Sequence, residues 1–274
     1  MINRTDLAVE AVMTDESEIE GVETQQYMRE NLVITKTKID ESASEKIGKS
    51  AGEYVTVFSK DLFSGVNTPK YQEILTDLLK EFLPKDELVL IVGLGNREIT
   101  PDALGPLVAG KILATRHLSE EMPDLLPSLR AVASLTTGVL AQTGIETAEI
   151  IKAVCEKIKP KAVVVIDALA ARDVERLLTT IQFSNTGIEP GAGVLNKRAE
   201  ISKKTLNIPV IALGVPTVVD AYKMSSETES PASLMVTPKD IDVCLKRAAE
   251  LISLSLNCAL QLDLSCEEIA FLSM

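Results

Sequence analysis

Five short runs of residues, "ELVLIVGL", "RAVASL", "KAVVVID", "TTIQFS" and "IPVIALG", succeed one another between residues 87 and 214 without apolar–polar alternation. Successive side chains of a strand point to opposite sides of a sheet, so a strand apolar at consecutive positions must be covered on both faces. Between and after these runs the apolar residues recur at helical spacing, over 103–116, 144–159, 168–178 and, at the end, 237–261. Strands alternating with helices predict an α/β fold: a three-layer sandwich with a mostly parallel central sheet. Upstream, "NLVITKTKID" and "GEYVTVFS" do alternate and predict a small N-terminal strand pair, and residues 69–84 carry a helical pattern between two prolines. Residues 1–30 read as a mobile or loosely docked acidic arm, and 223–233 as an exposed excursion. The expected organisation is a single domain over 1–274, with 7–86 an N-terminal extension packed on or beside the core.

Aromatic residues make up 3% of the chain and Trp is absent, so the core must be built from Val, Ile, Leu and Ala. Forty acidic residues against 28 basic ones give a formal charge of -12, which repels phosphate backbones and argues against direct nucleic-acid binding. The N-terminus lacks the apolar segment of a secretory signal, and no apolar run approaches the length of a membrane span. Cys155, Cys244, Cys258 and Cys266 show no CxxC spacing and are expected as free thiols in a reducing cytoplasm.

The stretch "VLIVGLGNREITPDALGP" (89–106) opens like a nucleotide-binding strand and turn. The dinucleotide fingerprint needs a third small residue where this chain has Glu98, and a carboxylate there would face the pyrophosphate. Asp102 has two readings. It is either the first-turn acid of a helix capped by Thr100 with Pro101 at its first position, or a functional carboxylate. Asp167, which ends "AVVVI", is costly to bury as a charge unless it is paired or protonated, and Arg172 or Arg176 could pair with it. A parallel sheet would bring Asp102 and Asp167 to the same carboxyl edge, where ligands of such sheets bind. Two converging carboxylates cannot both ionise easily, which yields an acid and a base suited to activating water on an amide.

Other chemistries have less behind them. His117 is the one histidine, placed late in a helical pattern, and zinc motifs and P-loop spacing are absent. No cofactor is implied. The loop "PGAGVLNKRAEIS" offers Gly191, Gly193, Lys197 and Arg198, which could hold a substrate backbone or an anion as readily as form an ordinary turn. Asp220 is a third strand-end acid.

Taken together, "RTDLAVEA", "VGLGN…TPDALGP", "TGIET", "IDALAAR", "GIEPGAGVLNKRAEIS", "IPVIALGVPTVVDA" and "LMVTPKDID" resemble the germination proteases of spore-forming bacteria, in consistent order from Arg4 to Asp242. The resemblance implies an unusual aspartic endopeptidase with Asp102 and Asp167 as its essential pair and a fold similar to hydrogenase-maturation peptidases. It implies small acid-soluble spore proteins as substrates, action in the spore core, and a homotetramer made as a zymogen. Self-processing is expected between Asp6 and Leu7, removing residues 1–6 as a very short propeptide. The long insertion that such proteins carry between the "TVVDA" and "LMVTP" motifs is replaced here by a short polar stretch. Two other classes stay open: a metal-sensing hydrogenase-maturation-type peptidase, which would need His117 near the pair, and a non-enzymatic α/β ligand-binding protein.

Overall fold

The computed structural model describes residues 5–13, 19–66, 68–121, 129–194, 198–221 and 234–272, with no account of the side chains of 119–121 and 194. Among the described residues one nine-stranded sheet organises the fold: β1 (Val22–Arg29), β2 (Leu32–Ile39), β3 (Gly52–Phe58), β4 (Val89–Gly93), β5 (Val132–Thr136), β6 (Ala162–Ala171), β7 (Thr180–Ser184), β8 (Val210–Asp220) and β9 (Met235–Val236). Their spatial order is β1-β2-β3-β7-β8-β6-β4-β5, with β9 on β8. The strands β5-β4-β6-β8 are parallel, and from β8 through β7, β3, β2 and β1 every pairing is antiparallel. The predicted α/β class holds, with the helix-linked strands forming the parallel half. The predicted strand pair is β2 and β3, which continue the same sheet through β7.

The helices are α1 (Ala8–Val12), α2 (Glu41–Ile47), α3 (Thr68–Lys80), α4 (Leu104–Ala109), α5 (Arg116–Glu121), α6 (Leu140–Thr143), α7 (Thr147–Ile158), α8 (Lys203–Leu206), α9 (Ile241–Leu260) and α10 (Cys266–Leu272). On one face, Val89, Ile91, Val164, Ile166 and Leu213 pack under Leu75 and Leu78 of α3, Leu104 of α4 and Ile252 and Leu256 of α9. On the other, Leu90, Val92, Val163 and Val165 meet Ile151 and Cys155 of α7 and Leu206 of α8. Even and odd positions of each parallel strand therefore enter different cores, the physical meaning of runs without alternation.

Three expectations need correction. Residues 168–178 are not a helix: β6 runs on to Ala171, followed by a 3-10 turn at Val174–Arg176. "ALAA" has helical propensity, but backbone pairing with β8 through Ala171↔Val219 overrides it. The helix expected over 103–116 is interrupted. It ends at Ala109, and His117 lies near the start of a separate helix, α5, rather than late in one. Finally, the described residues within 1–30, namely 5–13 and 19–30, are not a loosely docked arm. Leu7 and Ala8 have no exposure, Val9 packs with Leu7 against Leu169 and Ala171, and Val22–Arg29 is the outermost strand. The stretch 223–233 lies outside the described residues, and no helix among the described residues is long and apolar enough to cross a membrane.

Candidate active site

The site begins where β4 stops. Past Gly93, the Leu94 N–H donates to the Ile166 carbonyl at 2.8 Å, and the chain turns back at Gly95 with a φ of +103°. A Cβ at Gly95 would stand 2.1 Å from the Asp102 carbonyl oxygen and 2.9 Å from Asp102 Oδ1, so only glycine permits this approach. The Asn96 N–H then donates to Asp102 Oδ2 at 2.8 Å. Asp102 is thus not a first-turn acid of α4. It closes a separate 3-10 turn, Thr100–Asp102, whose cap position is Ile99 rather than Thr100, and α4 starts at Leu104. Thr217 Oγ1 of β8 donates to the Pro101 carbonyl at 2.7 Å and ties the turn to the sheet. Burial raises the Asp102 carboxyl above the usual range, with the Asn96 N–H pulling the other way.

Asp167 is 6% exposed. The register pairs Gly93 with Ile166, so Asp167 is the first residue of β6 to have lost its β4 neighbour, although β6 itself continues. The edge that matters is the carboxyl end of β4, and Asp167 stands just beyond it. Its carboxyl is held well above the ordinary carboxylate range, first by burial and then by the negative charges of Asp102 and Asp6. The Ala168 N–H, 2.9 Å from Oδ1, opposes this. Of the two arginines considered as partners, Arg176 places its guanidinium 4.8 Å from the Phe58 ring centroid. Asp102 and Asp167 both line one cavity of about 490 Å³. The Asp102 charge is one of the causes that raise Asp167, while the Asp102 carboxyl itself is raised by burial.

A third carboxyl enters the same cavity from the N-terminal segment. The Asp6 N–H donates to the Ala170 carbonyl at 2.8 Å, and the Ala170 N–H donates to Asp6 Oδ2 at 2.8 Å. Asp6 Oδ2 rests so close to Gly193 that a Cβ there would stand 2.3 Å away. Burial raises the Asp6 carboxyl, while the Lys49 ammonium and the Ala170 and Gly193 N–H groups lower it. Lys49 Nζ also donates to the Thr5 carbonyl at 2.7 Å. Beyond the helix start, Glu10 accepts the N–H groups of Arg172 at 2.7 Å and Asp173 at 2.8 Å, and the hydroxyl of Thr5. Residues 5–10 are therefore seated by hydrogen bonds at both ends and by Leu7, whose full burial contributes roughly 1.5–3 kcal/mol. Asp6 also lines a second cavity of about 350 Å³, on the side of Lys49, Tyr54, Gln182 and Gly214.

The remaining candidates divide. Gly191 and Arg198 line the cavity of the aspartate pair, and Arg198 lies 4.0 Å from Glu146. Gly193 serves the Asp6 carboxylate, and Lys197 lies outside the described residues. Glu98 is exposed, with its N–H bonded to Asn96 Oδ1 at 3.0 Å. His117 is exposed on α5, and neither it nor Asp220 is among the residues lining the pair's cavity. The sequence reading missed Gln182, Lys49 and Glu10. A polar residue inside the otherwise buried "TIQFS" strand was the signal available for the first.

Comparison with known proteins places this arrangement. A family model described as germination protease matches residues 2–230. A germination protease of Caldanaerobacter subterraneus subsp. tengcongensis is 42% identical over 311 aligned positions, covering 97% of this chain and 96% of that protein. That of Clostridium tetani is 40% identical over 316 positions, covering 97% and 98%. That of Bacillus thuringiensis subsp. konkukian is 47% identical over 240 positions, covering 82% of this chain and 65% of its own length. Among solved structures, the [NiFe] hydrogenase maturation protease HycI from Thermococcus kodakarensis KOD1 is 20% identical, with a TM-score of 0.37 over 65% of this chain and 98% of that one. By sequence, then, the α/β chain with its buried acidic cleft is a peptidase. It belongs to the germination protease family.

Proposed function

We propose that this chain is an aspartic-type endopeptidase that initiates degradation of small acid-soluble spore proteins in the spore core during germination. It is made as a zymogen that removes its own residues 1–6, and it works as a homotetramer. The observation that carries the chemistry is the placement of Asp102 and Asp167 in one cavity, each pushed toward the protonated form by burial and, for Asp167, by its acidic neighbours. In the singly protonated pair, the ionised carboxylate takes a proton from water as it adds to the scissile carbonyl carbon. The protonated partner hydrogen-bonds the carbonyl oxygen. Proton delivery to the leaving nitrogen then breaks the C–N bond. Either aspartate can fill either role, since the proton belongs to the pair.

Self-processing is supported by the seating of Asp6 against the same cavity, with Leu7 buried on Leu169 beside it. The metal-sensing alternative would need His117 beside the pair, and His117 is exposed on α5. The test is direct: the intact mass of the purified chain is followed under mildly acidic conditions, and cleavage of a small acid-soluble spore protein is assayed in parallel. Loss of residues 1–6 together with cleavage of the added protein is the expected result. A chain that stays intact and leaves the spore protein uncut overturns the reading.

A further inference from the structure

Gln182 makes a contact that the aspartate chemistry leaves unexplained. Its Nε2 donates to the Asp6 carbonyl oxygen at 3.1 Å, and its Oε1 accepts the Ala8 N–H at 2.7 Å. One carboxamide thus grips the backbone on both sides of Leu7, as a neighbouring strand would. Gln182 is 8% exposed and sits in a strand whose five residues are all buried. Such a group is costly to bury without partners, and both of these belong to the backbone of the N-terminal segment. Recognition of this kind is indifferent to side chains, so another peptide laid along the same path would find the same two bonds.

The sheet register explains why position 182 can do this. Asp167 of β6 pairs with Gly214 of β8, and Gly214 pairs with Gln182 of β7. Residues paired across neighbouring strands point to the same face. Asp167 and Gln182 therefore project to the same face, two strand spacings or about 9.6 Å apart, with the Leu169 side chain lying over Gly214 between them. The Asp6 carbonyl that Gln182 holds belongs to a residue lining the cavity of the aspartate pair as well as the cavity containing Gln182.

We infer that Gln182 is a catalytic residue of this peptidase, one that reads the peptide backbone: it donates to the carbonyl oxygen of the residue before the cleaved bond and anchors the N–H two residues on. The inference rests on the proposed cleavage between Asp6 and Leu7. When water adds to the Asp6 carbonyl carbon, that oxygen takes up negative charge, and the Gln182 N–H is already aimed at it. The intermediate then collapses with rupture of the bond to the Leu7 nitrogen, which accepts a proton and leaves as an amine, while Asp6 leaves as a carboxylic acid.

The experiment compares the unaltered full chain with Gln182→Ala and Gln182→Glu. Self-cleavage is followed by intact mass, and kcat and KM are measured on a synthetic peptide of this chain's residues 1–14. Gln182→Ala is expected to lower kcat by about 100-fold while KM changes by less than about threefold, with the thermal melt showing a folded protein. Gln182→Glu keeps the acceptor but, once ionised, has no donor. Its rate should be equally low at neutral pH and should climb toward that of the unaltered chain as acidification restores an O–H, a pH response that a merely structural glutamine would not produce. If both variants cut after Asp6 at the unaltered rate, the role of Gln182 is overturned and the proposed function stands. If the unaltered chain and its peptide are never cut after Asp6, the cleavage reading fails and takes this inference with it.

Discussion

Asn96 holds Asp102 through its backbone and not through its side chain. Its N–H donates to Asp102 Oδ2 at 2.8 Å, while its own Oδ1 accepts from Gln142 Nε2 at 2.8 Å and from the Glu98 N–H at 3.0 Å. The orientation of a proposed catalytic acid therefore depends on the path of the turn, and that path depends on Gly95.

Gly95→Ala and Asn96→Ala should consequently behave differently. At position 95, alanine meets a left-handed φ of +103° and a clash with the Asp102 carbonyl. The strain alone is worth about 1–3 kcal/mol, and displacing Asp102 should lower kcat by about 100-fold. Asn96→Ala keeps the N–H and should cleave within a few-fold of the unaltered chain. Steady-state kinetics on one peptide substrate, with thermal melts of both variants, checks the contrast.

Removing either member of the acid pair should stop the chemistry without unfolding the protein. Asp102→Asn and Asp167→Asn are each expected to lower kcat by at least about 100-fold, the scale of general acid–base catalysis. Circular dichroism should show an unchanged fold. Full activity in either variant would sink the paired mechanism.

Asp167→Asn should also be more stable than the unaltered chain at neutral pH. In the folded state Asp167 titrates well above the usual range, while in the unfolded chain it reverts to about 3.9. A group raised on folding loses its favourable contribution as pH climbs from the unfolded value through the folded one. Asparagine escapes that loss and can still accept the Ala168 N–H. The gain should show as a higher Tm for the variant at neutral pH. It should close as pH falls toward 4, which melts recorded across pH would reveal.

The rate itself should favour acid. Productive catalysis needs one proton on the pair, and both members titrate above ordinary carboxyls, mainly through burial. Activity should decline as pH rises and the second proton is lost, with the midpoint belonging to the pair and not to one residue. A pH–kcat profile that keeps rising through neutrality would contradict it.

The parallel half of the fold was legible because its strands are apolar on both faces, and Asp167 stood out as a candidate because a charged acid at the carboxyl edge of such a strand is expensive to bury. What escaped has physical reasons. The continuation of β6 through "ALAA" depends on pairing with β8, which no local pattern encodes. The docking of residues 5–10 depends on partners more than 150 positions away, at Ala170, Arg172 and Gln182. Glu10 and Asp6 look like surface acids in the sequence because their ligands are main-chain N–H groups, which are the same for every residue type. Asp102 was legible as an acid near a turn, but the carbonyl-to-glycine contact that fixes it appears only in three dimensions.

Asp6 borders two cavities, one holding Asp102 and Asp167 and the other reaching Tyr54, Ser184 and Gln182. Leu169 borders both cavities as well. Self-cleavage after Asp6, as proposed, would take away a residue that borders both cavities, so maturation would itself reshape the space around the aspartate pair.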